Sequence, residues 1–151
     1  MKTMAKHSVK HETFVIERVY DATPAAVFKA FGDREAKMRW FGDQSAGAKY
    51  SLDFRVGGKE HSSGGGPEGM AYSYDATYED IVPDERIVYT YWMTLGGPRI
   101  SVSLSTIELR PEGKQTRLVY TEQGAFLDGL DKAAQREHGT RELLDKIATT
   151  L

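Results

Sequence analysis

Residues 100–122, ISVSLSTIELRPEGKQTRLVYTE, carry the clearest structural pattern in the chain. Apolar residues alternate with Ser101, Ser103 and Ser105, which is the two-residue period of a strand with one buried face. On this reading the three serines face away from the core. A turn, PEGK, then leads into a last strand that ends at Glu122, so the segment predicts two antiparallel strands joined by a turn.

The same alternation recurs upstream and predicts further antiparallel strands, at residues 12–20, 50–56, 70–79 and 86–94. Between the first two of these, Thr23 and Pro24 suit the N-cap and first position of a short helix. A second short helix is expected over 34–40. The glycine-rich segment SSGGGPEG, at 62–69, is interpreted as a loop between strands.

The C-terminal segment changes to helical spacing from about Asp131, with Leu143, Leu144 and Ile147 on one stripe. A sheet of this size must cover one face with apolar side chains, and only this helix is long enough to do so. We therefore predict an α+β fold in which a curved antiparallel sheet of about six strands wraps around the long helix. Residues 1–11 are expected to be a flexible leader, and 12–151 a single domain.

Composition narrows the classes of function. The chain has 151 residues, 20 basic and 22 acidic side chains, a formal charge of −2 and no cysteine. The near-balance of charge gives no reason to expect a nucleic-acid partner, which normally binds a basic surface. The longest stretch without a charged residue is too short for a membrane helix, which needs about 20 residues. The start has no apolar secretory segment, so a cytoplasmic protein is expected.

Six segments together resemble the START/Bet v (SRPBCC) superfamily, which has the helix-grip fold. Within it they are similar to the bacterial homologues of the activator of heat-shock protein 90 ATPase (Aha-like) and to the polyketide-cyclase-like proteins. The segments are TPAAVFKAFGD (23–33), RWFGD (39–43), DFRVGG (53–58), YEDIVPDERIVYTYWM (78–93), TRLVYTEQGAFLDG (116–129) and REHGTRELLDKI (136–147). This resemblance implies a cavity between the long helix and the sheet. It also implies a varied membership of small-molecule carriers, cyclases or dehydratases, and chaperone-binding modules.

Arg18 shares its strand face with Phe14 and Ile16, so an unpaired charge there would be costly. The first and last strands are neighbours in the family's strand order, which suggests an ion pair between Arg18 and Glu122. Two interpretations stay open. Arg18 contacts an acidic or carbonyl-bearing ligand, or it forms a structural pair or reaches solvent.

Tyrosines dominate the face expected to be internal, where a purely structural core would favour Leu, Val and Ile. Buried phenols need partners for their hydroxyls, so the pattern indicates a polar-lined cavity for a ring-bearing ligand. The alternative is that the hydroxyls reach the rim or backbone carbonyls. The candidate ligand-binding residues are Arg18, Trp40, Phe54, Tyr72, Tyr74, Tyr89, Tyr91 and Glu122.

No motif predicts a catalytic, metal or cofactor site. The four histidines form no tight ligand cluster, and the glycine-rich segment lacks the GK[ST] ending of a phosphate loop. Val15, Val19, Val88 and Trp92 fall on the outer face, a pattern compatible with self-association into a homodimer.

Three functional hypotheses follow, in this order. The first is a binding protein for a hydrophobic or aromatic small molecule. The second is a cyclase or dehydratase in which Arg18 polarises a carbonyl and Glu122 or a tyrosine moves a proton. The third is a module that stimulates a chaperone ATPase.

Overall fold

In the described part of the chain, seven antiparallel strands form one curved, unclosed sheet in the order β1-β7-β6-β5-β4-β3-β2. The computed structural model describes residues 6–43, 45–65 and 70–151. Its elements are β1 (Val9–Tyr20), α1 (Pro24–Gly32), α2 (Arg34–Met38), β2 (Lys49–Leu52), β3 (Lys59–Gly65), β4 (Ala71–Val82), β5 (Arg86–Leu95), β6 (Arg99–Glu112), β7 (Gln115–Leu127) and α3 (Ala133–Ala148). The predicted α+β class, with the sheet around a C-terminal helix, is confirmed.

The sheet has seven strands instead of about six because residues 59–65 form β3. The loop predicted for 62–69 is therefore wrong for its first part, while residues 66–69 lie outside the described residues. Glu60 and Ser62 point to the buried face of β3 and stand opposite Ala76 and Tyr74 of β4. Strand prediction from sequence relies on alternating apolar residues, and this strand was missed because these two buried side chains are polar.

The first helix begins as predicted. The Thr23 hydroxyl accepts a hydrogen bond from the Ala26 N–H at 3.2 Å, and Pro24 occupies the first helical turn. Strand β1 begins at Val9, which pairs with Leu127, rather than at Glu12. Residues 1–5 of the expected leader lie outside the described residues.

The orientation predicted for β6 is wrong. Ser101 is fully buried and Val102 is 42% exposed, and Ser103 and Ser105 are buried as well. The serines share their face with Ile107 and Leu109, which also lie in the interior. Their hydroxyls are stabilised there because they hydrogen-bond to polar groups on the concave side of the sheet.

Helix α3 covers the concave face of the sheet unevenly. Leu144 and Ile147, in its C-terminal half, pack into the main core with residues of α1 and the sheet. The Tyr20 hydroxyl of β1 donates to the Leu144 carbonyl at 2.7 Å, which joins the edge strand to the helix. The N-terminal half presents smaller and polar side chains, and a cavity lies beneath it. Within the described ranges, no helix has the length and apolar character needed to cross a bilayer.

Candidate functional site: a tyrosine-lined cavity

A cavity of about 620 Å³ lies between the concave face of the sheet and α3. Its wall combines aromatic residues of α1, the α2–β2 connection and strands β4, β5 and β7 with Ser62 of β3 and residues of α3. The residues that contact it are Phe31, Lys37, Trp40, Phe41, Gly42, Asp43, Ser62, Tyr72, Tyr74, Tyr89, Tyr91, Met93, Tyr120, Asp131, Gln135, Arg136, Gly139, Thr140, Leu143 and Leu144.

Five of the predicted ligand contacts line this cavity: Trp40, Tyr72, Tyr74, Tyr89 and Tyr91. The four tyrosines come from β4 and β5, where their two-residue spacing places them on one face of the sheet. The rings of Tyr74 and Tyr91 lie 4.9 Å apart between centroids, so they form a continuous aromatic surface. Whether these side chains contact a ligand stays a prediction.

Glu122 lies directly behind the cavity wall and is fully buried. Its carboxylate accepts hydrogen bonds of 2.7 Å from the hydroxyls of Tyr91, Ser103 and Tyr120. Arg136 of α3 approaches the same carboxylate at 3.4 Å. Three phenol or alcohol donors and a guanidinium thus compensate the buried charge and join β5, β6, β7 and α3.

Arg136, on α3, is the cation of this hydrogen-bond network. Its two terminal nitrogens donate to the Tyr91 hydroxyl at 2.8 Å, to Ser101 at 2.7 Å and to Asp131 at 2.8 Å. Sequence analysis did not single out this arginine as a ligand contact. Its spacing could have done so, because Arg136, Thr140 and Leu143 fall on the same helix face as the core leucine at 144.

A second buried carboxylate, Glu60, was missed because no strand was predicted between the strand over 50–56 and the loop over 62–69. Lys37 of α2 lies 2.9 Å and 3.1 Å from its two oxygens. Tyr78 donates to it at 2.8 Å, and Tyr50 donates to its other oxygen. The two basic residues that line the cavity, Lys37 and Arg136, are therefore each paired with a carboxylate buried behind the wall.

The predicted ion pair between Arg18 and Glu122 is not formed. Arg18 lies opposite Leu118 in the sheet, and its Nε donates to Asp145 of α3 at 2.6 Å. Side chains on the concave face of β1 meet the C-terminal half of α3, whereas Glu122 lies under the N-terminal half. Arg18 thus pairs outside the cavity.

Phe54 also lies outside the cavity. Strand β2 ends at Leu52, so the predicted strand over 50–56 does not continue to Phe54. Its ring packs against Tyr78, with centroids 4.9 Å apart, and against Phe28. A Cβ at Gly58 would overlap the Asp53 carbonyl oxygen, so this tight turn requires glycine.

Burial favours the neutral, protonated form of all the tyrosine side chains, which can then act as hydrogen-bond donors. Burial, as the largest cause, raises the pKa of Tyr74, Tyr91 and Tyr120 well above the ordinary value of 10.0. The negative charge of Glu122 adds to the rise at Tyr91 and Tyr120. These phenols therefore keep their protons at neutral pH and can donate to an acceptor.

Another polar chain lies outside the cavity. His61 bridges Asp75, 2.7 Å from Nδ1, and Ser63, 3.1 Å from Nε2, on β3 and β4. This hydrogen-bonded chain of an aspartate, a histidine and a serine resembles a catalytic triad, but none of the three residues lines the cavity. The chain is best explained as a cross-strand contact.

Removing the buried carboxylate of Glu122 and removing the exposed carboxylate of Asp145 should destabilise the folded protein by different amounts. We expect Glu122→Ala to lower the free energy of unfolding by about 3–5 kcal/mol, because Arg136 and three hydroxyls lose a buried partner. Asp145→Ala should cost less than about 1 kcal/mol, because Asp145 is 63% exposed. Urea unfolding of both variants measures the difference. Equal losses would show that Glu122 is not held in a buried network.

Alkaline titration tests the tyrosine environment. All eight tyrosines have a raised pKa, with burial as the largest cause. The folded state thus holds phenolic protons that the unfolded chain releases near pH 10, so stability falls as pH rises above about 10. Phenolate absorbance should appear together with loss of near-ultraviolet circular dichroism. Phenolate formation near pH 10 in the folded protein would contradict this picture.

Comparison with known proteins places these observations in a family. Residues 21–151 match the family model described as "Activator of Hsp90 ATPase homolog 1-like protein". A search of curated proteins gives no significant match.

Solved structures agree with the family match. The Mll3558 protein from Rhizobium loti is 51% identical, with a TM-score of 0.90 over 95% of this chain and 99% of that one. A putative uncharacterized protein from Rhizobium leguminosarum is 42% identical, with a TM-score of 0.90 over 95% and 96% of the two chains. The CV1439 protein from Chromobacterium violaceum is 25% identical, with a TM-score of 0.71 over 93% and 97%. The chain belongs to the family of Activator of Hsp90 ATPase homolog 1-like proteins.

Proposed function

We propose that the chain is a small-molecule-binding protein whose ligand lies between the sheet and α3. The observation that carries this proposal is the cavity of about 620 Å³ with a wall rich in tyrosine. Ligand sites commonly enclose about 300–1,000 Å³ and combine aromatic walls with a few placed polar groups. Flat or amphipathic molecules suit such a wall because phenol rings supply both stacking surface and hydroxyl donors.

The residues have different parts in this proposal. Trp40, Tyr72, Tyr74 and Tyr89 supply contact surface. The Tyr74 hydroxyl makes no hydrogen bond to any described residue. That phenol has its donor available for a ligand acceptor. Glu122 acts as a positioning residue, because it holds the hydroxyls of Tyr91 and Tyr120 that face the same space.

Binding is favoured over the cyclase or dehydratase hypothesis. That hypothesis paired Arg18 with Glu122, yet Arg18 contacts Asp145, away from the cavity. Both buried carboxylates, Glu60 and Glu122, are already engaged by a cation and by hydroxyl donors. A carboxylate held in this way is suited to ordering the wall rather than to exchanging protons with a substrate.

The name of the family also refers to activation of a chaperone ATPase. Such an activity would depend on an outer surface that binds another protein, whereas small-molecule binding depends on the interior. Variants that change only the cavity therefore separate the two hypotheses. A chaperone ATPase assay on the same variants gives the second readout.

Gly139 offers a way to close the cavity without touching its polar network. It lines the cavity from α3, and a Cβ placed there meets no atom within 4 Å. We expect Gly139→Leu to fill part of the space and to weaken binding of the neutral dye Nile red at least about tenfold. Gly139→Ala is the matched control, because it improves helix propensity by about 1 kcal/mol and adds one methyl group.

Fluorescence titration with Nile red measures the two variants and the unmodified chain, and thermal unfolding checks that all are folded. Saturable binding that Gly139→Leu reduces much more than Gly139→Ala supports the proposal. Absence of dye binding to the unmodified chain, or equal binding by all three proteins, would count against it.

A further inference from the structure

Resting on the proposed function, we infer that the ligand is an organic cation: an ammonium or similar basic group attached to an apolar or ring-bearing body. The structure points to Asp43 as the residue that binds the positive group. The inference concerns the sign of the ligand's charge, which the aromatic wall alone does not determine. It reverses the earlier expectation of an acidic or carbonyl-bearing ligand at Arg18.

Formal charges around the cavity favour a positive guest. Among the residues that the structure describes, the basic side chains that line it are Lys37 and Arg136. Four carboxylates either line it or contact its wall residues, namely Asp43, Asp131, Glu60 and Glu122. Excess negative charge around a partly open cavity attracts cations and repels anions.

Neither basic side chain is available for an anion. The Lys37 ammonium contacts both oxygens of Glu60, at 2.9 Å and 3.1 Å. Arg136 contacts Glu122 and Asp131 and also donates to two hydroxyls. An anionic ligand would have to displace a buried carboxylate from its partner, which would leave that carboxylate uncompensated.

Asp43 differs from the other three carboxylates. It accepts hydrogen bonds from the Ser45 N–H at 2.8 Å and from the Tyr72 hydroxyl at 2.9 Å. Within the described part of the chain, no Lys, Arg or His forms an ion pair with it. Hydrogen bonds from Ser45, followed by that from Tyr72, lower the pKa of Asp43, so its carboxylate is ionised at neutral pH.

The aromatic surface beside Asp43 already accommodates an ammonium group. The Lys37 Nζ lies 4.6 Å from the ring centroid of Phe41 and 5.4 Å from that of Trp40. Both rings also line the cavity, as does Tyr72, whose hydroxyl contacts Asp43. Ring faces attract cations through their quadrupole, and the contacts of Lys37 show that this aromatic wall stabilises a positive group.

Three naphthalene probes that share one ring and differ in one substituent test the charge preference. They are 2-(aminomethyl)naphthalene, 2-naphthalenemethanol and 2-naphthoate, and each is titrated against the Nile red complex at pH 7. We expect the cation to displace the dye at a concentration about two- to fivefold lower than the neutral alcohol, as for an ion pair with a carboxylate that remains accessible to solvent. The anion should be weaker than the alcohol.

Asp43→Asn should reduce the ratio of cation to alcohol affinity to about one. Asp80→Asn is the matched control, because it changes the net charge equally at an exposed pair with Arg86 outside the cavity, and it should keep the full ratio. Thermal unfolding confirms that both variants fold.

The outcomes separate the inference from the proposal beneath it. Nile red binding without a cation preference, or a preference that persists in Asp43→Asn, overturns the inference and leaves the proposed function standing. No binding of Nile red or of any probe overturns both.

Discussion

The structure depends on the compensation of two carboxylates that are buried on the concave face of the sheet. Glu60 and Glu122 are both essentially inaccessible to solvent, and a buried charge without partners would be strongly destabilising. Each is satisfied by tyrosine hydroxyls and by one cation from a helix, Lys37 or Arg136. These requirements explain why phenols rather than aliphatic side chains fill the interior here, and why two helices are anchored over the sheet.

The uneven character of α3 converts this arrangement into a cavity. Its C-terminal half carries Leu144 and Ile147 into the core, where close packing leaves little space. Its N-terminal half carries Arg136, Gly139 and Thr140, which are polar or small and do not fill the space above the tyrosines. The long side chain of Arg136 reaches Glu122, so the polar network holds the helix above the sheet and the cavity between them stays open.

Much of the fold could be predicted from sequence because apolar periodicity reports strands with one buried face. The prediction failed where the buried face is polar. In β6 the serines were assigned to solvent, although Ile107 and Leu109 continue their face. In β3, Ser62 was assigned to a loop and Glu60 to no element. The tyrosine wall was found because aromatic residues keep the two-residue period. The partners of Arg18 and Glu122 could not be predicted. The two-residue period of a strand shows which face of the sheet a side chain is on, but not which half of α3 lies over it.

Native mass spectrometry of the chain isolated gently from the organism that makes it tests the central claim most directly. If the tyrosine-lined space binds a small molecule, the folded protein should carry a stoichiometric added mass that dissociates on denaturation and belongs to a ring-bearing compound. A spectrum of the bare polypeptide alone, together with an interior that excludes every small molecule offered, would contradict the account.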